Sequence, residues 1–285
     1  MDGSIDTRLD TILIAVDFNE PSVTAAEWAS RIFSGSKISL VNIVEPPPPA
    51  PALAMRYPST AKVVDEARDS AEKKLNELSA RIAPGASAQV RTGRPHEEIM
   101  KAADELLADV IVVGRQDVGS AGWARVGAIA QRLLRNARTP ILVVAGEGSA
   151  APQNILAAVD DSAMTPVVLE WTGALSEKFS TESAALHVLT STRTEQEMAD
   201  AQSWLEHRIG DSNAARPPVP LVVSGARRAA EVIVGQARSR GSELIVIGSH
   251  GAGSASGLLF GSVAESVVVS APCPVLVVLA TKRTE

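Results

Sequence analysis

Short, unbroken apolar runs recur along this chain and alternate with longer stretches whose apolar residues fall on one side of a helix. TILIAVD at 11–17 carries Ile12, Leu13, Ile14, Ala15 and Val16 in succession, the pattern of a strand buried on both faces of a parallel sheet. PSVTAAEWASRIF follows, with Pro21 near its start and Ala25, Trp28, Ala29 and Ile32 on one side, and predicts a helix. KISLVNIV at 37–44 is a second strand, and residues 60–82 form a helix stopped by Pro84-Gly85. A short strand at 87–91, a helix at about 95–107, the strand VIVVG, a helix from 127 and the strand ILVV complete the unit. Strands alternating with helices imply parallel pairing through right-handed crossovers. PPPPAP at 46–51 joins neither element, because each proline fixes φ and lacks an N–H. It reads as a stiff surface loop, or else as a polyproline II ligand for a peptide-binding partner.

The pattern then occurs again. Gly114 and Gly248, Gly127 and Gly261, and Pro140 and Pro274 are each 134 residues apart, and a constant offset marks two copies of one unit. NILAAVD (154–160) matches TILIAVD, AALHVLT (184–190) matches the second strand, and helices near 194–209 and 228–239 flank PLVVSG. LIVIG and VLVV close the second unit, which lacks the proline-rich insert. EGSAAPQ (147–153) is the linker, so the expected domains are 1–148 and 149–285. In an open sheet ordered 3-2-1-4-5, ILVV (141–144) and VLVV (275–278) are edge strands, and an apolar edge invites pairing.

Composition narrows the function classes. At 285 residues, 45% hydrophobic and 21% charged, the chain suits two globular domains. A net charge of −6 without a basic run argues against nucleic acid as the main partner. The single cysteine, Cys273, excludes an intrachain disulfide and a cysteine-based metal cluster; it reads as a packed small hydrophobe rather than a reactive thiol. No two histidines have metal-ligand spacing. His187 is expected in the core, His96 and His207 on helix surfaces, and His250 beside a phosphate or in water. No cationic apolar leader and no apolar run near the ~20 residues of a membrane span are found, so a cytoplasmic protein is expected.

The strongest chemical signal follows LIVIG. In SHGAGSASGLLFGSVAES, Gly248, Gly251, Gly253, Gly257 and Gly261 crowd a strand-to-helix connection. Backbone lacking Cβ atoms can turn its N–H groups inward as an anion nest; the alternative reading of the same composition is a flexible surface loop. A helix beginning near Gly261-Ser262 adds its positive end and a hydroxyl donor. Asp160 ends the first strand of the same unit, a neighbour of the fourth at the topological switch point where ligands bind. It suits a ribose hydroxyl, or alternatively caps the following helix.

The spacing Gly248-x2-Gly251-x9-Gly261-Ser262 resembles the ATP-binding motif G-x2-G-x9-G-(S/T) of universal stress proteins, and AVDDS, LHV and APCPVLVV are similar to that family's surroundings. The resemblance covers nearly the whole chain as a tandem member. It implies two Rossmann-like, adenine nucleotide α-hydrolase-like domains of α/β class, each a five-stranded parallel sheet ordered 3-2-1-4-5 and flanked by helices. It further implies bound ATP in a cytoplasmic protein. Asp160 would lie near the nucleoside and the backbone at Val188 near adenine. Gly248, Gly251, Gly261, Ser262 and the backbone of Val263 would hold phosphates. Mg2+ would arrive with the nucleotide. The resemblance also implies that the two apolar edge strands meet, making an intramolecular pseudo-dimer; homodimerisation of the whole chain is left open.

The first copy departs from the motif. Asp117 replaces a glycine and Ala128 replaces the hydroxyl residue, although Asp17, Gly114, Gly119, Gly122 and Gly127 remain. A carboxylate beside a phosphate costs on the order of 4 kcal/mol per charge pair at about 4 Å and an effective dielectric near 20. The first half is therefore expected to bind ATP weakly or not at all; the alternative is a site using Arg115 and Arg125 on another anion. No nucleophile elbow or Walker lysine supports catalysis. The expected function is a nucleotide-dependent stress-response regulator acting on an unidentified protein partner, against a nucleotide-independent scaffold or a slow ATPase.

Overall fold

The computed structural model describes residues 7–47, 60–116, 127–146, 151–225, 227–251 and 260–279. The first half contains β1 (Thr11–Ala15), α1 (Glu20–Ile32), β2 (Lys37–Val44), α2 (Thr60–Ile82), β3 (Ser87–Thr92), α3 (Pro95–Leu106), β4 (Val110–Gly114), α4 (Ala128–Asn136) and β5 (Ile141–Val144). The second contains β6 (Asn154–Val159), α5 (Thr165–Phe179), β7 (Glu182–Leu189), α6 (Glu195–Gly210), β8 (Val219–Ser224), α7 (Ala229–Ser239), β9 (Leu244–Gly248), α8 (Ser262–Ser270) and β10 (Val275–Val278). Most of the proline-rich segment, the tip of the glycine loop, and Asp117, Gly119, Gly122 and Arg125 lie outside the described residues.

The strands form one ten-stranded sheet ordered β3-β2-β1-β4-β5-β10-β9-β6-β7-β8. Each half therefore has the 3-2-1-4-5 order, and every neighbouring pair is parallel except β5 with β10. Helices cover both faces, which is why the strands read as continuous apolar runs. Ile12 and Ile14 join a layer with Trp28, Leu75, Trp171 and Leu205. Leu13 points the other way, into a layer with Ile99, Leu133, Ile233 and Val267. Both layers run through the two halves.

The apolar strands at the edge of each half meet, as the resemblance implies, and so lie at the centre of the joined sheet. Ile141 pairs with Val277, Leu142 with Leu276 and Val143 with Val275, antiparallel, and none of the six is more than 2% exposed. On one face Phe33 meets Phe179, ring centroids 6.0 Å apart, with Lys178 Nζ 5.7 Å from the Phe33 centroid. On the other, Arg135 reaches Glu265 at 3.6 Å. The outer edges are β3 and β8, and β8 carries Pro220, which offers no N–H to a passing strand.

The same devices recur in each copy. Asp109, just before β4, accepts the backbone N–H groups of Asp10 and Thr11 at 2.8 Å each. Its counterpart Glu243 accepts that of Gln153 at 2.6 Å. The glycine ending the fourth strand is there because the helix after the first strand crosses it. A Cβ on Gly114 would lie 2.5 Å from the Pro21 carbonyl oxygen and 2.8 Å from the Ser22 nitrogen; one on Gly248 would lie 2.8 Å from Met164 Cβ.

Gly114→Ala and Gly248→Ala are both expected to destabilise the chain, by roughly 1–3 kcal/mol each, with Gly114→Ala the larger because backbone obstructs it. Urea midpoints measure this; an unchanged midpoint for Gly114→Ala would show that α1 shifts freely. Cys273 is 6% exposed, and burial pushes its thiol up to about 12. A thiol reagent at mildly alkaline pH should leave the folded chain unlabelled and label one thiol per chain in concentrated guanidinium. Fast labelling of the native protein would contradict this packing.

Candidate functional site

The carboxyl ends of β6, β7 and β9 bring the second copy's polar residues together. Ala158 pairs with Ile247 and Val159 with His187. Asp160, one residue past β6, thus lies level with Val188 on one side and the residues following Gly248 on the other. The crevice between β6 and β9 is the switch point: β6 connects outward through α5 to β7, and β9 connects inward through α8 to β10.

Asp160 is held through its backbone. His187 Nδ1 donates to the Val159 carbonyl at 3.1 Å, and the Thr165 hydroxyl donates to the Asp160 carbonyl. The His187 ring lies against Trp204 with centroids 4.6 Å apart. His187 is thus a satisfied packing residue. The first copy supplies the explanation: Asn42 Nδ2 donates to the Val16 carbonyl at 2.7 Å from the equivalent place. Asn42 and His187 tie down the same carbonyl where the first strand leaves the ladder. Comparing the two copies position by position carries that signal; inspecting histidines singly does not. Asp160 does not cap α5, whose N-cap is Met164. The helix begins four residues later than a cap at Asp160 would require, because Pro166 favours the first turn that follows Met164.

The carboxylate of Asp160 faces the glycine segment. A Cβ on Gly251 would sit 2.5 Å from Asp160 Oδ2, so any side chain there must displace the carboxylate. Gly261 is the N-cap of α8, and its N–H donates to the Ser249 carbonyl at 2.8 Å. A Cβ on Gly261 would approach that carbonyl oxygen to 3.2 Å. Ser262 and Val263 open α8 and are both exposed, Val263 by 39%. The first N–H groups of a helix have no partner within it, so the amino end of α8 presents donors beside Ser262. None of these glycines has a positive φ; they are needed for close approach, and Gly248 is needed for packing under Met164. Sequence reasoning passed over Ser249, which is buried and whose hydroxyl lies 2.8 Å from His250 Nδ1. His250 Nε2 is buried without a hydrogen-bond partner among the described residues.

The first copy is wired differently. The Asp17 carboxylate accepts the Asn19 backbone N–H at 3.1 Å and Asn19 Nδ2 at 2.8 Å. Gln116 Oε1 would be 3.5 Å from a Cβ on Gly127. Arg115, which the alternative reading would set on an anion in its own loop, crosses to the second half and donates from Nη1 to the carbonyls of Val268 at 3.2 Å and Ala271 at 2.8 Å. The physical reason is that these carbonyls end α8 and carry its negative pole. Among the described residues no cluster of His, Cys, Asp and Glu could hold a metal ion, and no helix is long and apolar enough to cross a membrane.

Comparison with known proteins matches this arrangement twice. The model of the universal stress protein family matches residues 8–145 and again 152–278. A universal stress protein of Mycolicibacterium smegmatis is 27% identical over 286 residues, 94% of this chain and 96% of the relative. One of Mycobacterium tuberculosis is 25% identical over 289 residues, 93% and 95% of the two chains. The crystal structure of a universal stress protein from Archaeoglobus fulgidus superposes with a TM-score of 0.76 at 22% identity, covering 96% of this chain and 100% of its own. That last likeness concerns the fold, while the matched segments span both halves of the chain. The protein belongs to the universal stress protein family, as two copies of the family's unit in one chain.

Proposed function

We propose that this protein binds ATP in its second half and acts as a nucleotide-dependent regulator of a protein partner. The observation that carries the reading is the cradle at Gly251 and Gly261. Here a Cβ would collide with Asp160 or crowd Ser249, and the amino end of α8 opens beside it. Backbone at Gly251 and Gly261, the N–H of Val263 and the hydroxyl of Ser262 would hold phosphates. Asp160 would accept ribose hydroxyls, and backbone at Val188 would meet the base. Gly248 would serve by letting β9 pass beneath Met164. ATP brings the charge that the helix end favours; Mg2+ would come bound to its phosphates.

The reading is one of binding rather than turnover. Regulation requires that a partner distinguish the nucleotide-bound from the nucleotide-free state. The first half, its Asp17 engaged by Asn19 and its Arg115 by α8, would contribute structure and little ATP affinity. We place the division between the halves at 148–149 and the working location in the cytoplasm.

Calorimetric titration of the full, nucleotide-stripped chain with Mg-ATP tests this. About one site per chain is expected, lost in Gly261→Glu, where a carboxylate meets the phosphates. Asp160→Asn should weaken binding about tenfold, or ~1.4 kcal/mol, and Asp17→Asn should leave it unchanged. Equal losses in the two aspartate variants would place nucleotide in both halves. Absence of heat from the unaltered chain at several temperatures would favour a scaffold that works without nucleotide.

A further inference from the structure

The helix whose amino end faces the proposed phosphates is held at its other end by the opposite half of the chain. α8 has nine residues and is thus about 13 Å long. Its amino end is fixed within the second half, by the Gly261 N–H on the Ser249 carbonyl. Its last turn contains no basic residue, whereas the matching helix α4 has Arg135 in its own last turn. Cations reach the terminal carbonyls of α8 from two other elements: Arg238 of α7 donates from Nη2 to the Ser270 carbonyl at 3.4 Å, and Arg115, from across the seam, makes the shorter bonds from Nη1 to the carbonyls of Val268 at 3.2 Å and Ala271 at 2.8 Å. A cation at a helix carboxyl end is stabilising, and charge-assisted bonds to terminal carbonyls are the stronger kind.

Arg115 and Ser249 are the same position in the two copies, 134 residues apart. Their backbones behave alike: Arg115 N–H donates to the Val144 carbonyl at 2.7 Å and Ser249 N–H to the Val278 carbonyl at 2.9 Å. Their side chains differ: the Ser249 hydroxyl lies 2.8 Å from His250 Nδ1, and the Arg115 guanidinium reaches α8. The Ser249 carbonyl holds the start of α8 from within, and Arg115 holds its end from without, beside the longer bond from Arg238. Arg135 adds a weaker, exposed contact to Glu265 in the first turn of α8.

We propose that Arg115 is a positioning residue for the nucleotide site of the other half. By capping the carboxyl end of α8 it sets the axis along which the amino end meets phosphate. The first half is then a component of the second half's site, not only a copy that has lost its motif. This inference rests on the ATP reading above, and the two are separable by experiment.

The test compares the unaltered full chain with Arg115→Met and Arg115→Lys. Hydrogen exchange of residues 262–271 without nucleotide, Mg-ATP affinity and the urea midpoint are read for each. In Arg115→Met, exchange in the last turn of α8 should quicken and ATP affinity should fall, each by about tenfold. Arg115→Lys keeps the charge and should recover most of both. A merely structural residue would lower the urea midpoint without a selective effect on α8 or rescue by lysine. Unchanged affinity in Arg115→Met beside tight binding by the unaltered chain overturns the inference and leaves the ATP reading standing. If the unaltered chain binds no Mg-ATP, that reading fails; exchange then still decides whether Arg115 holds α8, and unchanged exchange denies it.

Discussion

The antiparallel seam between β5 and β10 is the constraint on which the rest of this molecule depends. Four-residue strands of Ile, Leu and Val at a free edge would expose both apolar side chains and unpaired backbone. Pairing them buries both at once and makes one sheet of two. The two core layers become continuous across the seam, with Phe33 against Phe179 on one face and Arg115 and Arg135 reaching α8 on the other. The remaining free edges are β3 and β8, far from the apolar seam.

Once the halves share a sheet, their identical origins no longer require identical roles. Positions that match in the repeat have been kept where they serve the ladder and released where they do not. Asp109 and Glu243 still tie the start of the first strand, and Asn42 and His187 still tie its end. Asp17 and Asp160 have parted: one carboxylate is engaged by the neighbouring Asn19, and the other lies against Gly251. Arg115 and Ser249 have parted further, and both now act on a single helix. An arginine side chain is long enough to cross the seam that the paired strands create, which a serine is not.

The glycines illustrate how far a spacing pattern carries. Their positions were legible, but the reasons differ among them. Gly248 is required because Met164 occupies the place of its Cβ, Gly251 because Asp160 does, and Gly261 because it caps α8 close to a carbonyl. A motif merges these into one signal. Conformational freedom explains none of the three, since none has a positive φ; the cause in each case is an atom contributed by another element.

The sequence by itself determined the element order, because continuous apolar runs alternate with amphipathic helices, and the resemblance carried by its glycine spacing implied the strand order found within each half. It also pointed to residues that gather at the switch point: Asp160, Val188, Gly248 and Gly251 lie near the carboxyl ends of strands that this order makes neighbours. Only the tertiary structure decided where side chains go once they leave their own unit. His187 at the Val159 carbonyl, the delayed start of α5 at Met164, and Arg115 on α8 all depend on distances between elements remote in the chain. Periodicity fixes which face a residue occupies, but not which atom it meets there.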